Sequence, residues 1–94
     1  MADPAPSARR WEVRGRVQGV GFRYFVRRLA RGLELSGWVA NREDGSVTVA
    51  AAGPSAALAE LESGLADGPA LARVDAVECV WTGDDPGWTG FEIR

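Results

Sequence analysis

Trp11-Glu12-Val13-Arg14-Gly15-Arg16-Val17-Gln18-Gly19-Val20-Gly21-Phe22-Arg23 carries the chain out of a strand and into a helix. To its left, Trp11, Val13, Gly15 and Val17 alternate with Arg10, Glu12, Arg14 and Arg16, the period of two of a half-buried strand. To its right, Phe22, Phe25, Val26, Leu29, Ala30 and Leu33 return at helical spacing. Only Gln18 to Gly21 joins the two. The glycines let the backbone turn sharply and leave its N–H groups uncovered at a helix N-terminus, where unpaired donors and the positive end of the dipole favour an anion. Arg23 is a cation in that first turn, at the end of the helix that disfavours one. A bound anion turns the conflict into an attraction, and the planar guanidinium matches phosphate oxygens. This predicts a phosphate-binding nest over Gln18, Gly19, Val20, Gly21, Phe22 and Arg23. The residues alone equally allow a tight turn beside an exposed arginine.

Working outward, the helix is expected to run to about Leu35 and to close at Ser36-Gly37. A second strand, Trp38 to Glu43, meets a third, Ser46 to Ala52, across Asp44-Gly45, a two-residue hairpin signal. Gly53-Pro54-Ser55 opens a second helix striped by Leu58, Leu61 and Leu65, and Asp67-Gly68-Pro69 ends it. Arg73 to Trp81 reads as a fourth strand, with Val74, Ala76 and Val80 on one face and Val77, Cys79 and Trp81 on the other. Beyond a loop from Thr82 to Trp88, Gly90 to Arg94 can add a short fifth strand carrying Phe91 and Ile93. The order β-α-β-β-α-β predicts an α+β, ferredoxin-like split βαβ fold. Its sheet is expected to be antiparallel, with both helices on one face and a short extra C-terminal strand.

Ninety-four residues, 46% apolar and 26% charged, fit one domain. Residues 1–8, rich in Ala, Pro and Ser, read as a disordered tail rather than a signal peptide, leaving 9–94 as the domain. No apolar run approaches a membrane span. One cysteine excludes an intramolecular disulfide framework and points to the cytoplasm. Net charge is −2, but eight of the eleven arginines lie between Arg9 and Arg31, where Glu12 is the only acid. Ten of the thirteen acids lie from Glu43 onward. The strand–loop–helix unit is therefore locally basic, either as a solvated face or as a field that draws small anions to the loop.

Asn41 stands out because asparagine is depleted in strands. A two-residue turn would set it opposite Thr48. It reads either as an ordinary polar residue at a hairpin edge or as an amide that both donates and accepts, suited to holding a water. First and third strands of this fold are usually neighbours and the Gln18–Arg23 loop leaves the far end of the first, which allows proximity to Asn41 although spacing does not derive it. Other chemistries fail on residue type. There is no histidine, hence no Ser-His, Cys-His or His-ligated metal site. Cys79, mid-strand, reads as a buried or half-buried structural thiol. Asp84-Asp85 reads as a solvated loop pair, and no P-loop motif occurs. Phe22, Phe25, Trp38 and Trp81 read as packing aromatics.

Val13 to Arg23 resembles the signature loop of the acylphosphatase family. Gly37-Trp38-Val39-Ala40-Asn41, followed by Gly45, Val47 and Gly53, resembles that family's second signature, and the similarity continues in register to Gly90–Arg94. The resemblance implies hydrolysis of carboxyl phosphates to carboxylate and inorganic phosphate. By that likeness Arg23 and the N–H groups of Gly19 to Arg23 hold the phosphoryl oxygens and Asn41 orients the attacking water, with neither metal nor organic cofactor. The chemistry is self-consistent, because phosphoryl transfer needs mainly positioning and charge stabilisation. A carboxylate leaves without a proton, so a chain lacking histidine can still be an enzyme. The implied partners are a small acyl phosphate and, as product and competing ligand, inorganic phosphate. Nucleic acid and membrane are not expected, and the chain is expected to be a monomer. The alternative is a non-catalytic ferredoxin-like module that binds an anion or a protein. An RNA-binding domain of this topology would carry stacking aromatics on its third strand, and Ser46 to Ala52 has none. An acylphosphatase-like domain of a larger carbamoyl-transferring protein would be followed by further domains.

Overall fold

The computed structural model describes residues 6–94. Its elements are β1 (Ser7–Arg16), α1 (Phe22–Gly32), β2 (Ser36–Asn41), β3 (Val47–Gly53), α2 (Ser55–Asp67), β4 (Arg73–Asp84) and β5 (Phe91–Ile93). The first five residues of the expected tail lie outside the described residues. Its last two do not belong to a tail, since β1 begins at Ser7 and Ala8 is fully buried against the pairing with Ala52.

The sheet order is β4-β1-β3-β2-β5. Strands β1 to β4 pair antiparallel, as the split βαβ order demands, while β5 pairs parallel to β2 from Gly37↔Phe91 to Val39↔Ile93. The sheet is therefore mixed, not antiparallel throughout. The cause is the route of the chain after β4, which crosses from one edge of the sheet to the other before β5 begins. Trp11, Val13, Val39, Val47, Val49 and Ala51 line one face and form a single core with Phe22, Val26 and Ala30 of α1 and Leu58, Leu61 and Leu65 of α2. Both helices lie on that face. Trp11 is fully buried, and its indole N–H donates to Glu62 of α2 at 2.8 Å, so the one polar atom of the ring is satisfied where α2 crosses the sheet.

Two β-bulges correct the expected faces of β4. Register shifts fall between Arg10 and Trp11 and between Arg14 and Gly15, where β4 inserts extra residues against β1. Val74 and Val77 consequently both pack on the core, although strict alternation would oppose them. Cys79 is exposed, not a buried or half-buried thiol. The strand also runs on to Asp84, past the loop start expected at Thr82.

Helix α1 stops earlier than Leu35. Leu35 N–H donates to Ala30 carbonyl at 2.9 Å and Glu34 N–H to Arg31 carbonyl at 3.0 Å, the double bond pattern of a Schellman cap. Glu34 occupies the left-handed position with φ 58°, a place normally given to glycine. Its side chain is exposed, so nothing is lost by removing it. Glu34→Gly is expected to raise stability by about 0.5–1 kcal/mol, read as a higher urea midpoint at unchanged slope.

Candidate active site

Buried Val17 and Phe22, each 1% exposed, fix the two ends of the four-residue loop that follows β1, and Val20 packs against the core between them. Gly19 and Gly21 adopt φ of 72° and 77°, and nothing lies within 4 Å of where a Cβ would stand at either. Backbone conformation, not crowding, is what calls for glycine there. Gly21 is the N-cap of α1 and supplies no side-chain cap. The first helical hydrogen bond runs from Phe25 N–H to the Gly21 carbonyl at 3.0 Å, so the N–H groups ahead of it are left without an intrahelical acceptor. No acid in the first turn competes for them.

Over this turn opens a cleft of about 220 Å³ lined by Val17, Gly19, Gly21, Phe22, Arg23, Tyr24 and Asn41. Arg23 is half-buried and its Nη1 donates to the main-chain oxygen of Arg94 at 3.2 Å. Arg94 is itself held, since its N–H donates to the Val39 carbonyl at 2.8 Å and its guanidinium lies 4.8 Å from the Trp38 ring centroid. The end of the β2–β5 pair thus steadies the guanidinium at the mouth of the cleft.

Asn41 reaches the cleft through a register that differs from the expected one. The pairs are Asn41↔Val47 and Ala40↔Thr48, not Asn41↔Thr48. Arg42 N–H donates to Ser46 carbonyl at 2.9 Å, leaving a three-residue turn, Glu43-Asp44-Gly45, with Gly45 at φ 90°. A three-residue loop with a left-handed glycine, in place of a two-residue one, shifts the pairing by one. That shift puts Asn41 on the same face as Val39 and Val47, the face of the helices and the loop. The expected register would have sent it to the opposite face.

Of the six residues predicted to form the nest, Gly19, Gly21, Phe22 and Arg23 line the cleft together with Asn41, and Gln18 and Val20 do not. Val20 is turned to the core. The Gln18 side-chain amide donates to the carbonyls of Arg42 at 2.7 Å and Ser46 at 2.9 Å, so it bridges the loop to the β2–β3 hairpin. Besides Val17 at the end of the strand, two contributors escaped the sequence reading. Tyr24, 61% exposed and off the apolar stripe of α1, walls the cleft with Arg27 stacked 5.2 Å from its ring centroid. Its place off the stripe beside Arg23 was the available signal. The main-chain oxygen of Arg94 left no trace in the sequence, because only tertiary pairing brings it to Arg23.

The sign of the cleft suits an anion, for its lining holds Arg23 and no carboxylate. A larger depression of about 450 Å³ beside it is bordered by Glu12, Glu43 and Asp44 against Arg42 alone, the wrong sign for phosphate. Asp44 belongs to the hairpin tip. It accepts from Ser46 Oγ and, at 2.9 Å, from Ser46 N–H, and it meets Arg14 at 3.3 Å. The Ser46 donors, then Arg14, hold its carboxyl down at about 2 from an ordinary 3.8. A depressed carboxyl contributes stability that is complete above its unfolded pKa and is lost as pH falls through the folded one. In the folded protein an NMR titration should therefore place the Asp44 midpoint near 2. Asp44→Ala should lose less stability than wild type between pH 3.8 and about 2.

The acylphosphatase family model matches residues 9–93. The chain is 48% identical over 82 residues to an acylphosphatase of Salinibacter ruber, spanning 87% of this chain and 86% of that one. It is 56% identical over 86 residues to an acylphosphatase of Koribacter versatilis, spanning 92% and 78%. The crystal structure of acylphosphatase from Bacillus subtilis superposes with a TM-score of 0.90 at 38% identity, covering 94% of this chain and 98% of that one. By sequence over nearly its whole length and by its fold, the chain belongs to the acylphosphatase family and is an acyl phosphate hydrolase.

Proposed function

We propose that the phosphoryl group of an acyl phosphate binds in the 220 Å³ cleft, held by Arg23 and the backbone N–H groups of Gly19 to Arg23, and that Asn41 orients the attacking water. The observation that carries this reading is the convergence of Arg23, the glycine loop and Asn41 on one small cleft without a carboxylate. Water oxygen bonds to phosphorus as the bond from phosphorus to the acyl oxygen breaks, and its electron pair leaves with the carboxylate. Fixed N–H donors and a guanidinium stabilise the charge spread over the three equatorial oxygens before the reaction starts. Val17, Gly19, Gly21, Phe22, Arg23, Tyr24 and Asn41 include no carboxylate or imidazole to serve as base. The water proton therefore passes to an oxygen of the substrate phosphate. Arg23 and the N–H groups supply the charge that a metal ion would otherwise bring, so the reaction is metal-independent. Inorganic phosphate, the product, competes for the same donors.

The chain acts as a monomer in this reading. β5 is three residues long, and the edge strand β4 is bulged twice and carries Arg73, Asp75 and Glu78, features that blunt edge pairing. A cytoplasmic setting suits the exposed free thiol of Cys79. No helix among the described residues is long and apolar enough to cross a membrane. Hydrolysis of benzoyl phosphate in water labelled with heavy oxygen tests the site of attack. The label is expected in inorganic phosphate; label in benzoate would place attack at the carbonyl carbon and contradict the assignment.

A further inference from the structure

The β2–β3 hairpin tip that follows Asn41 is bonded within itself, Arg42 N–H to Ser46 carbonyl and Ser46 N–H to Asp44, but has little to hold it to the phosphate loop. Residues Asn41 to Gly45 are all exposed. Their ion pair to β1, Arg14 with Asp44 at 3.3 Å, is solvent-exposed on both sides, and such pairs contribute little order. The one side chain that reaches across from the phosphate loop is Gln18. Its Nε2 meets the carbonyl oxygens of Arg42 at 2.7 Å and Ser46 at 2.9 Å, the two residues that close the hairpin turn. Both partners are acceptors, so the amide nitrogen must face them, and each of its two hydrogens has one carbonyl. Gln18 follows buried Val17, and Arg42 follows Asn41, so the bridge links the loop to the very next residue after the proposed water-orienting amide.

We propose that Gln18 is a positioning residue for hydrolysis, fixing the distance between the phosphate-holding loop and the Asn41 amide through its two hydrogen bonds to the hairpin carbonyls. It touches neither phosphate nor water. The inference rests on the assignment of Asn41 to the attacking water. Without the bridge the exposed hairpin end is free to shift relative to Gly19–Arg23, and a displacement near 1 Å in a phosphoryl-transfer site costs up to about a hundredfold in rate.

The test is a double-mutant cycle on benzoyl phosphate hydrolysis, with inorganic phosphate as competitive probe and thermal unfolding as a control for folding. Asn41→Ala is measured first. Retention of full kcat by Asn41→Ala would overturn the water assignment and, with it, the role of Gln18. When Asn41→Ala lowers kcat, Gln18→Ala is expected to lower kcat about ten- to a hundredfold while KM and the phosphate inhibition constant move less than about twofold. In the Asn41→Ala background the same substitution should have almost no further effect, because its route to the reaction is already cut. Gln18→Glu keeps the shape but sets a carboxylate against two carbonyls, so it should be no better than alanine. Additive losses in the cycle would overturn the positioning role alone. A loss of phosphate affinity in step with kcat, or wild-type turnover by Gln18→Glu, would do the same.

Discussion

Arg23→Ala is expected to reduce kcat/KM for benzoyl phosphate by about a hundred- to ten-thousandfold. Its guanidinium can present two charge-assisted hydrogen bonds to phosphoryl oxygens, worth roughly 1.5–3 kcal/mol each, and every 1.4 kcal/mol is a factor of ten. Inorganic phosphate should lose its inhibition in parallel, since the proposed assignment has product and transition state share these donors. Arg23→Lys restores charge without the planar fork, so it should recover only part of the loss. The fold should tolerate both changes. Among the described residues the one hydrogen bond of Arg23 goes to the exposed main-chain oxygen of Arg94 at 3.2 Å, and no core contact depends on it. Initial rates over a substrate series, with phosphate as inhibitor, separate these effects.

Asn41→Ala is expected to act on turnover alone. The residue stands at the end of β2 on the face of the loop, exposed, and across the cleft lining from Arg23. Removing one preorganised polar group aimed at the reacting atoms lowers kcat by about a hundred- to a thousandfold. The N–H groups of the loop and Arg23 are untouched, so the phosphate inhibition constant should stay within about twofold of wild type. Asn41→Asp places a second negative charge beside the phosphate and should weaken phosphate binding as well. The contrast between a kcat defect here and a combined defect at Arg23 separates water positioning from phosphate holding.

Much of this site was legible because its parts are local. The alternation from Trp11 to Val17, the helical spacing from Phe22 and the two glycines between them specify strand, turn and helix within one short segment. The left-handed conformations at Gly19 and Gly21 follow from it directly. What escaped depends on partners distant in sequence. Asp44-Gly45 signals a hairpin, but whether two or three residues turn is settled by Asp44 capping Ser46 and by Gln18 holding Arg42 and Ser46. That single residue of register decides which face Asn41 occupies. The bulges on β4 are likewise set by β1, and the one between Arg14 and Gly15 is why Val74 and Val77 share the core. The parallel pairing of β5, and with it the main-chain oxygen of Arg94 on Arg23, arises from a crossing of the sheet that no local pattern encodes. Glu34 hid the end of α1 because a glutamate holds a glycine's place.

Phosphate release from benzoyl phosphate by the wild-type chain in excess EDTA, with Arg23→Ala beside it, bears most directly on the central claim. Rapid turnover that EDTA leaves unchanged, that inorganic phosphate inhibits competitively and that Arg23→Ala abolishes is the predicted result. A folded wild type that is silent in EDTA, or an Arg23→Ala variant that turns over at the wild-type rate, would contradict it.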